Sequence, residues 1–186
     1  GFDLDAEPSY AQPFQTDKEL WQNAKVMEAF VKTMGKRIGP KSGTDKMFVI
    51  DGEPDAMAAQ YGEYFNYFIL QAYNSSGNSD LNSRFTAQAT HFQQYLTPEQ
   101  VANKLIVCEN FENYAGKGGV SFRLDNGTTL PSLLGMAYWN PVYNGVTYRK
   151  GGVGTYHMEY EYTVSGQTGN YPFLRKAIQI MNPSIQ

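Results

Sequence analysis

The stretch Gly1–Glu7, GFDLDAE, places an acidic residue at every second position: Asp3, Asp5 and Glu7. In a β-strand, side chains two residues apart point to the same face, so these carboxyl groups would line one side at a spacing of roughly 6.6 Å. The apolar residues between them would cover the other side. Since desolvation and mutual repulsion both disfavour a row of ionised carboxylates, the pattern indicates a chemical role.

Two other interpretations of this stretch stay open. Aspartates two residues apart also occur in calcium-binding loops, but those loops have Gly at their sixth position and a distant Glu, whereas Pro8 follows Glu7 directly. The second alternative is an acidic chain terminus without a partner, because the first residues of many domains are poorly ordered.

Four further apolar runs, rich in β-branched and aromatic residues, follow along the chain and are separated by helical or loop-like stretches. Such runs are typical of parallel strands that are buried on both faces. Together with the opening stretch they predict an α/β fold with five parallel strands. The four runs are Met47–Ile50, Tyr67–Tyr73, Leu105–Cys108 and Leu133–Trp139.

The helices are signalled by their first residues and by apolar spacing. A capping box at residues 16–19 predicts a helix that continues to Ile38, where Gly39 and Pro40 follow. A second capping pattern begins at Thr97. Apolar residues at helical spacing predict two more helices, at residues 84–96 and 172–181.

Composition restricts the class of protein. With 186 residues, 41% of them hydrophobic, the chain can bury a core, and its net charge of −3 provides no basic surface for nucleic acid. The 14 Tyr and 11 Phe suit carbohydrate recognition, because aromatic rings offer apolar faces to sugars. Cys108 reads as a small buried hydrophobe, and His91 and His157 lack metal-ligand spacing, so no cofactor or metal is expected. No apolar run is long enough to span a membrane.

The opening stretch resembles the DGxDxDxE signature of glycoside hydrolase family 18, which includes chitinases and endo-β-N-acetylglucosaminidases. Two later stretches are also similar to this family: QAYN to its sixth strand and GMAYWNP to its eighth, where a Trp lies under the sugar. The matching positions are Gly1, Asp3, Asp5, Glu7, Gln71, Tyr73, Asn74 and Trp139.

The resemblance implies a (β/α)8 TIM barrel, of which this chain would hold about strands four to eight as a single domain over residues 1–186. A complete barrel typically needs about 250 residues. The missing leading Asp of the signature, the absence of an initiator Met and the lack of a hydrophobic leader lead us to expect a fragment. Half a barrel exposes sheet edges, and the expected cover is the N-terminal half of the barrel or a symmetry-related copy.

The resemblance also implies roles for individual residues. Glu7 would be the general acid and later the base, and Asp5 would hold the substrate's 2-acetamido N–H and stabilise an oxazolinium intermediate. Asp3 would share a proton with Asp5. Tyr73 would donate a hydrogen bond to the acetamido oxygen, and Trp139 would stack under the sugar. The further substrate contacts expected at strand ends are Gln71, Asn74, Glu109 and Asn110.

Two alternatives concern function. In many other barrel glycosidases a Glu after strand four is the acid and a Glu after strand seven is the nucleophile, and Glu7 and Glu109 fit those positions. Such enzymes usually have Asn before the acid, where this chain has Ala6. The other alternative is a non-catalytic, lectin-like glycan-binding protein on the same fold.

One segment of the sequence restricts the range of expected substrates. Chitinases often carry an α+β insertion between strands seven and eight, whereas residues 113–130 are short and contain the turn Asp125-Asn126-Gly127. This favours an endo-β-N-acetylglucosaminidase acting on N-glycans or glycoproteins, with a chitinase as the alternative. Residues 140–170 are expected to form an extended hairpin. A secreted, periplasmic or cell-surface location is expected for such an enzyme.

Overall fold

The computed structural model describes residues 1–8, 23–164 and 170–183, and it has an α/β architecture with parallel strands. The strands are β1 (Phe2–Ala6), β2 (Phe48–Gly52), β3 (Tyr67–Gln71), β4 (Leu105–Asn110), β5 (Ser121–Arg123), β6 (Thr129–Pro131), β7 (Val142–Tyr143), β8 (Val146–Thr147) and β9 (Gly152–Tyr156). The α-helices are α1 (Ala24–Gly35), α2 (Asn78–Phe92), α3 (Pro98–Lys104), α4 (Ser132–Tyr138), α5 (Met158–Thr163) and α6 (Pro172–Met181).

The chain forms two compact units. The first consists of Gly1–Leu70 and Thr86–Leu105, and the second of Gln71–Phe85 and Ile106–Gln186. Because α2 and β3 cross these boundaries, the division does not follow single elements.

In the first unit, β1 pairs in parallel with β2, and β2 with β3. Aromatic rings pack on and beside these strands: the ring centroids of Phe48 and Phe65 lie 4.4 Å apart, and Phe68 stacks on Phe92 at 4.8 Å. Gly62 admits the Phe92 ring, since a Cβ there would lie 2.8 Å from it. This packing fixes the strands whose ends carry the acidic residues.

In the second unit, β4 pairs in parallel with β9, with Ile106 opposite Gly152 and Asn110 opposite Tyr156. Helices α4 and α6 pack against each other, and their shared core is built from Phe111, Ala115, Leu133, Ala137 and Ala177. Two short antiparallel hairpins, β5–β6 and β7–β8, complete the described part of this unit.

Four of the five predicted strands are confirmed, and the fifth prediction is wrong. The run Leu133–Trp139 is not a strand, because residues 132–138 form α4. A short apolar run has no decisive period, and here Pro131 precedes residues that form helices well. Gly135 decides the packing, since a Cβ at this position would lie 2.2 Å from the Phe122 ring.

The fifth parallel strand is β9, which lies within the segment that was predicted to be an extended hairpin. Its sequence, GVGTY, has two glycines, which are weak strand formers. Gly152 lies against Ile106, where an added Cβ would be 3.3 Å from the Ile side chain. Close packing of strands therefore outweighs propensity. Within the described residues of this segment, 140–164 and 170, only β7 and β8 form a hairpin.

Each predicted helix is present in the described residues, but the bounds differ: α1 ends at Gly35 rather than Ile38, and α2 covers Asn78–Phe92 rather than residues 84–96. The capping box at Thr97 is present, with Thr97 Oγ1 accepting from the Gln100 N–H at 3.2 Å and Gln100 Oε1 accepting from the Thr97 N–H at 2.8 Å. The box predicted at residues 16–19 lies outside the described residues, and α1 has Asn23 as its N-cap. Among the helices described, none is long and apolar enough to cross a membrane.

Candidate active site

The three acidic residues of the predicted motif belong to the first unit and lie on β1 or directly after it. Asp3 and Asp5 are within the strand, which runs parallel to β2 with Asp5 opposite Asp51. Both side chains are exposed and share one face, while Ala6 on the other face is fully buried. Glu7 is the first residue after the strand and is half-buried. The predicted extended conformation is confirmed for the two aspartates.

Gly52 shapes the surroundings of Glu7. Its φ is +99°, and a Cβ there would lie 2.5 Å from the Ala6 carbonyl oxygen and 3.0 Å from Glu7 Cγ. The Glu53 N–H donates to that same carbonyl at 2.8 Å, so the chain is held in place just before Glu7. Only glycine combines this backbone conformation with this close approach.

The surroundings of Asp3 raise its pKa. Partial burial raises the pKa of Asp3 above its usual value, the neighbouring Asp5 charge raises it further, and a hydrogen bond from the Leu4 backbone opposes both effects. A proton is therefore held more readily at Asp3 than at an ordinary aspartate, which is the direction needed for a carboxyl group that shares a proton with its neighbour.

In the second unit, Gln71 ends β3 and the chain then turns. The Ser75 N–H donates to the Ala72 carbonyl oxygen at 3.2 Å, which makes Tyr73 and Asn74 the two central residues of a β-turn. Asn74 has a φ of 59°, a left-handed value that asparagine tolerates better than most residues. The Tyr73 side chain is half-buried, and Asn74 is exposed.

Glu109, near the end of β4, is fully buried. Its Oε1 accepts the Asn74 N–H at 3.0 Å and the Asn110 N–H at 2.8 Å, so the structure brings these three predicted residues together. Among the described residues, Oε2 has no hydrogen-bond partner. The Asn110 side chain accepts the Glu112 N–H at 2.6 Å. A direct substrate contact by Glu109 does not fit this burial.

Trp139 was predicted to lie at the end of a strand. In the structure it follows helix α4 instead. Its side chain is only 3% exposed, and the indole N–H donates to Asn82 Oδ1 at 2.9 Å. The Trp139 carbonyl oxygen accepts from the buried Lys150 ammonium. An enclosed indole offers no free face to a sugar, so this placement does not support the predicted stacking role.

Sequence reasoning missed Tyr156, the last residue of β9. Its side chain is 51% exposed, and its ring centroid lies 6.4 Å from that of Tyr73. The signal was a Tyr at the end of a run that alternates Val and Thr with glycine, but this run lies in the segment that was predicted to be an extended hairpin. Tyr156 is the aromatic residue that ends a parallel strand in this unit.

The residues described contain no group of three or more His, Cys, Asp or Glu side chains that could hold a metal ion. His91 Nε2 lies 2.6 Å from the Met57 carbonyl oxygen, and His157 stacks on Tyr160 with ring centroids 4.2 Å apart. Cys108 is buried, and its thiol lies 3.9 Å from the Glu109 carbonyl oxygen.

Comparison with known proteins agrees with these features. The model of "Glycoside hydrolase family 18, BT1044-like" matches residues 1–180. The chain is 29% identical over 164 residues to endo-β-N-acetylglucosaminidase F2 of Elizabethkingia meningoseptica, a match covering 83% of this chain and 45% of that protein.

Solved structures give a similar result. A selenomethionine form of BT1044 with a Glu-to-Gln substitution superposes with a TM-score of 0.72 at 25% identity, over 98% of this chain and 53% of that one. An endo-β-N-acetylglucosaminidase from Cordyceps militaris, bound to fucosyl-N-acetylglucosamine-Asn, gives a TM-score of 0.58 at 22% identity, over 97% and 55%. The chain thus spans about half the length of the relatives that it matches.

Proposed function

The chain belongs to glycoside hydrolase family 18, and from that premise we propose that its intact protein is an endo-β-N-acetylglucosaminidase that cleaves the β-1,4 linkage beside N-acetylglucosamine in N-glycans. The observation that carries the proposal is the extended strand β1, which has Asp3 and Asp5 on one face and is followed directly by Glu7. The (β/α)8 barrel, and its division between this chain and strands outside it, belong to the same proposal.

In the proposed reaction, the protonated Glu7 carboxyl donates its proton to the glycosidic oxygen as the bond to the anomeric carbon breaks. The substrate's acetamido oxygen attacks that carbon, and a cyclic oxazolinium forms without an enzyme nucleophile. Asp5 accepts the acetamido N–H and balances the positive charge. Glu7, now ionised, takes a proton from the water that opens the ring, so the β configuration is retained.

The other residues support this ring closure. Asp3, whose pKa is raised by partial burial and by the Asp5 charge, is the residue with which Asp5 would share a proton. The Tyr73 hydroxyl donates to the acetamido oxygen and Gln71 orients the sugar, while Asn74 and Asn110 offer amides to sugar hydroxyls. We assign the acidic residues at β1 and the residues of the Tyr73 turn to one reaction, because both stretches match sequence motifs of the family.

Two observations favour N-glycans over chitin. Residues 113–130 contain one short helical turn and strands of the small β5–β6 hairpin, rather than an inserted domain. Two of the similar proteins are endo-β-N-acetylglucosaminidases by name. A secreted or cell-surface location is proposed on the same basis, since glycoproteins are the substrates.

The test uses the intact protein with a high-mannose glycoprotein and with chitin oligomers. We expect glycan release from the glycoprotein, and we expect Glu7→Gln to lower kcat by at least about 100-fold, since the general acid is lost. Glu28→Gln, at an exposed helical carboxylate, is the control and should retain full activity. Cleavage of chitin alone would identify a chitinase. Glycan binding without cleavage by the wild-type protein would identify a lectin.

A further inference from the structure

The turn that carries Tyr73 depends on the orientation of a single peptide group. In this turn, Tyr73 and Asn74 occupy the central positions, and the peptide bond between them contributes the Asn74 N–H. Related turn types differ by a flip of this central peptide. A fixed acceptor for the Asn74 N–H therefore selects one orientation of the chain next to the Tyr73 side chain.

Glu109 supplies that acceptor. Its Oε1 accepts both the Asn74 and the Asn110 N–H, at 3.0 and 2.8 Å, and so joins the turn to the end of β4. Both N–H groups donate to the same oxygen, Oε1. A side chain with a single acceptor oxygen at this position, such as the amide oxygen of Gln, could therefore replace the carboxylate.

The Glu109 side chain is also confined from another direction. Gly119 has a φ of +101°, and a Cβ at this position would lie 3.1 Å from Glu109 Cγ and 2.0 Å from Ser132 Oγ. Among the described residues, Glu109 Oε2 and Ser132 Oγ lack hydrogen-bond partners, and both lie beside Gly119. A carboxylate enclosed in this way is held still and does not present an oxygen at the surface.

We propose that Glu109 is a positioning residue, which holds the Tyr73–Asn74 turn so that the Tyr73 hydroxyl can meet the acetamido oxygen of the substrate. This inference rests on the proposed function for the role of Tyr73. It assigns Glu109 neither a direct substrate contact nor the part of a nucleophile, which its burial and its doubly occupied Oε1 disfavour.

The kinetic test compares Glu109→Gln with Glu109→Leu in the intact protein. Since the Gln carbonyl oxygen can accept both N–H groups, we expect kcat to stay within about threefold of wild type. Glu109→Leu removes the acceptor, and a displaced turn should lower kcat by about 10- to 100-fold with little change in KM. Glu109→Asp, which keeps the charge but is one methylene shorter, should lower kcat in the same way and guards against misfolding of the Leu variant.

A double-mutant cycle with Tyr73→Phe connects the effect to the phenol. If Glu109 acts through Tyr73, Glu109→Leu should lower kcat by less than about threefold once the hydroxyl is absent. Additive losses would show a role independent of Tyr73 and overturn the proposal. If Glu109→Gln is inactive and azide restores activity to Glu109→Ala, Glu109 is a nucleophile. That result would also overturn the positioning proposal.

Glu161 provides a matched control. It is likewise fully buried, and its carboxylate accepts the Phe173 N–H at 2.6 Å and the Leu174 N–H at 3.2 Å. Glu161→Leu should therefore reduce stability without changing kcat at a temperature where the protein is folded. A loss of kcat equal to that of Glu109→Leu would show that general destabilisation explains both.

Amide hydrogen exchange separates failure of this inference from failure of the proposed function. The Asn74 amide should exchange slowly in the wild-type protein and in Glu109→Gln, and at least about tenfold faster in Glu109→Leu. This result is expected whether or not the protein hydrolyses glycans. Unchanged Asn74 exchange in Glu109→Leu would contradict the positioning role, even in an active enzyme.

Discussion

At the scale of single residues, charge placement near β1 has opposite consequences for stability and for chemistry. Asp3 has a raised pKa because it is partly buried and faces the Asp5 charge. The alternation of acidic residues was readable from the sequence, since a strand period of two places them on one face. Their ionisation state depends on burial, which no short motif reveals.

For Asp3, we predict that Asp3→Asn increases the free energy of unfolding at pH 7 while lowering kcat. A raised folded-state pKa means that the contribution of Asp3 to stability is present below pH 3.8 and is lost as the pH rises through the folded-state pKa. Because the group is largely solvated, the gain should be only about 0.5 kcal/mol or less. Urea unfolding measures it, and the gain should vanish at pH 3. A gain that persists at pH 3 would exclude an electrostatic cause, and Asp45→Asn, in an exposed turn, is the control.

Lys150 is a buried cation whose ammonium donates to the Ala137 carbonyl oxygen at 2.9 Å and to that of Trp139. Burial lowers its pKa to about 8, and the adjacent Arg149 charge adds to this effect. Above that pH the folded state has released the proton, whereas the unfolded chain still holds it up to about pH 10.5. Stability should therefore increase with pH in this interval.

The corresponding prediction compares wild type with Lys150→Met. Between pH 7 and 9.5, the unfolding free energy of wild type should rise relative to the variant by about 2 kcal/mol. Chemical denaturation at several pH values gives this difference directly, and groups common to both proteins cancel. A difference that stays constant or falls with pH would mean that Lys150 keeps its proton in the folded state.

At the scale of elements, the sequence predicts a helix or strand well where its signal is local. The cap at Thr97, the helix from Pro172 and the strand at Leu105 all follow from residues within a few positions of one another. The segment of α4 was predicted to be a strand and that of β9 to be part of an extended hairpin, because the state of both depends on distant neighbours. Gly135 needs space beside Phe122, and Gly152 needs to approach Ile106. Neither requirement is visible in a window of ten residues.

Gly135 permits a test of this explanation. Alanine is a better helix former than glycine by about 1 kcal/mol, so propensity alone predicts that Gly135→Ala is stabilising. We expect instead a loss of about 2 kcal/mol, because the added methyl group would lie 2.2 Å from a ring carbon of buried Phe122. Thermal or urea unfolding distinguishes the two signs. Gly154→Ala, where the nearest neighbour is Ile106 at 3.8 Å, should change stability little.

At the scale of the whole molecule, two short motifs located the acidic residues of β1 and the Tyr73 turn. The residues that hold these groups in place could not be predicted from the sequence. The Gln71–Asn74 stretch and β1 were recognisable because their residues are contiguous. The contact of Glu109 with the Asn74 amide joins residues 35 positions apart, and it needs the empty space at Gly119. Such contacts depend on packing, and packing is decided by the complete chain.

The proposed mechanism requires that the substrate supply its own nucleophile, so the rate should depend on the acyl group of the sugar. For the intact protein, replacing the acetamido group by trifluoroacetamido makes the amide oxygen a weaker nucleophile and should lower kcat by about 100-fold or more. The competing scheme, with an enzyme carboxylate as nucleophile, predicts a much smaller change and a trapped covalent adduct with a 2-fluoro sugar.

Tyr73→Phe makes this last measurement specific to the chain described here. If the Tyr73 hydroxyl aligns the acetamido oxygen, its removal should lower kcat for the acetamido substrate more than for the trifluoroacetamido one, because the slower substrate gains less from alignment. The affinities of the acetamido and trifluoroacetamido substrates can be compared by competition binding to Glu7→Gln, which should bind them without cleavage. Equal losses for both substrates would place Tyr73 outside the ring-closing step, whereas insensitivity of wild type to the acyl group would refute substrate assistance itself.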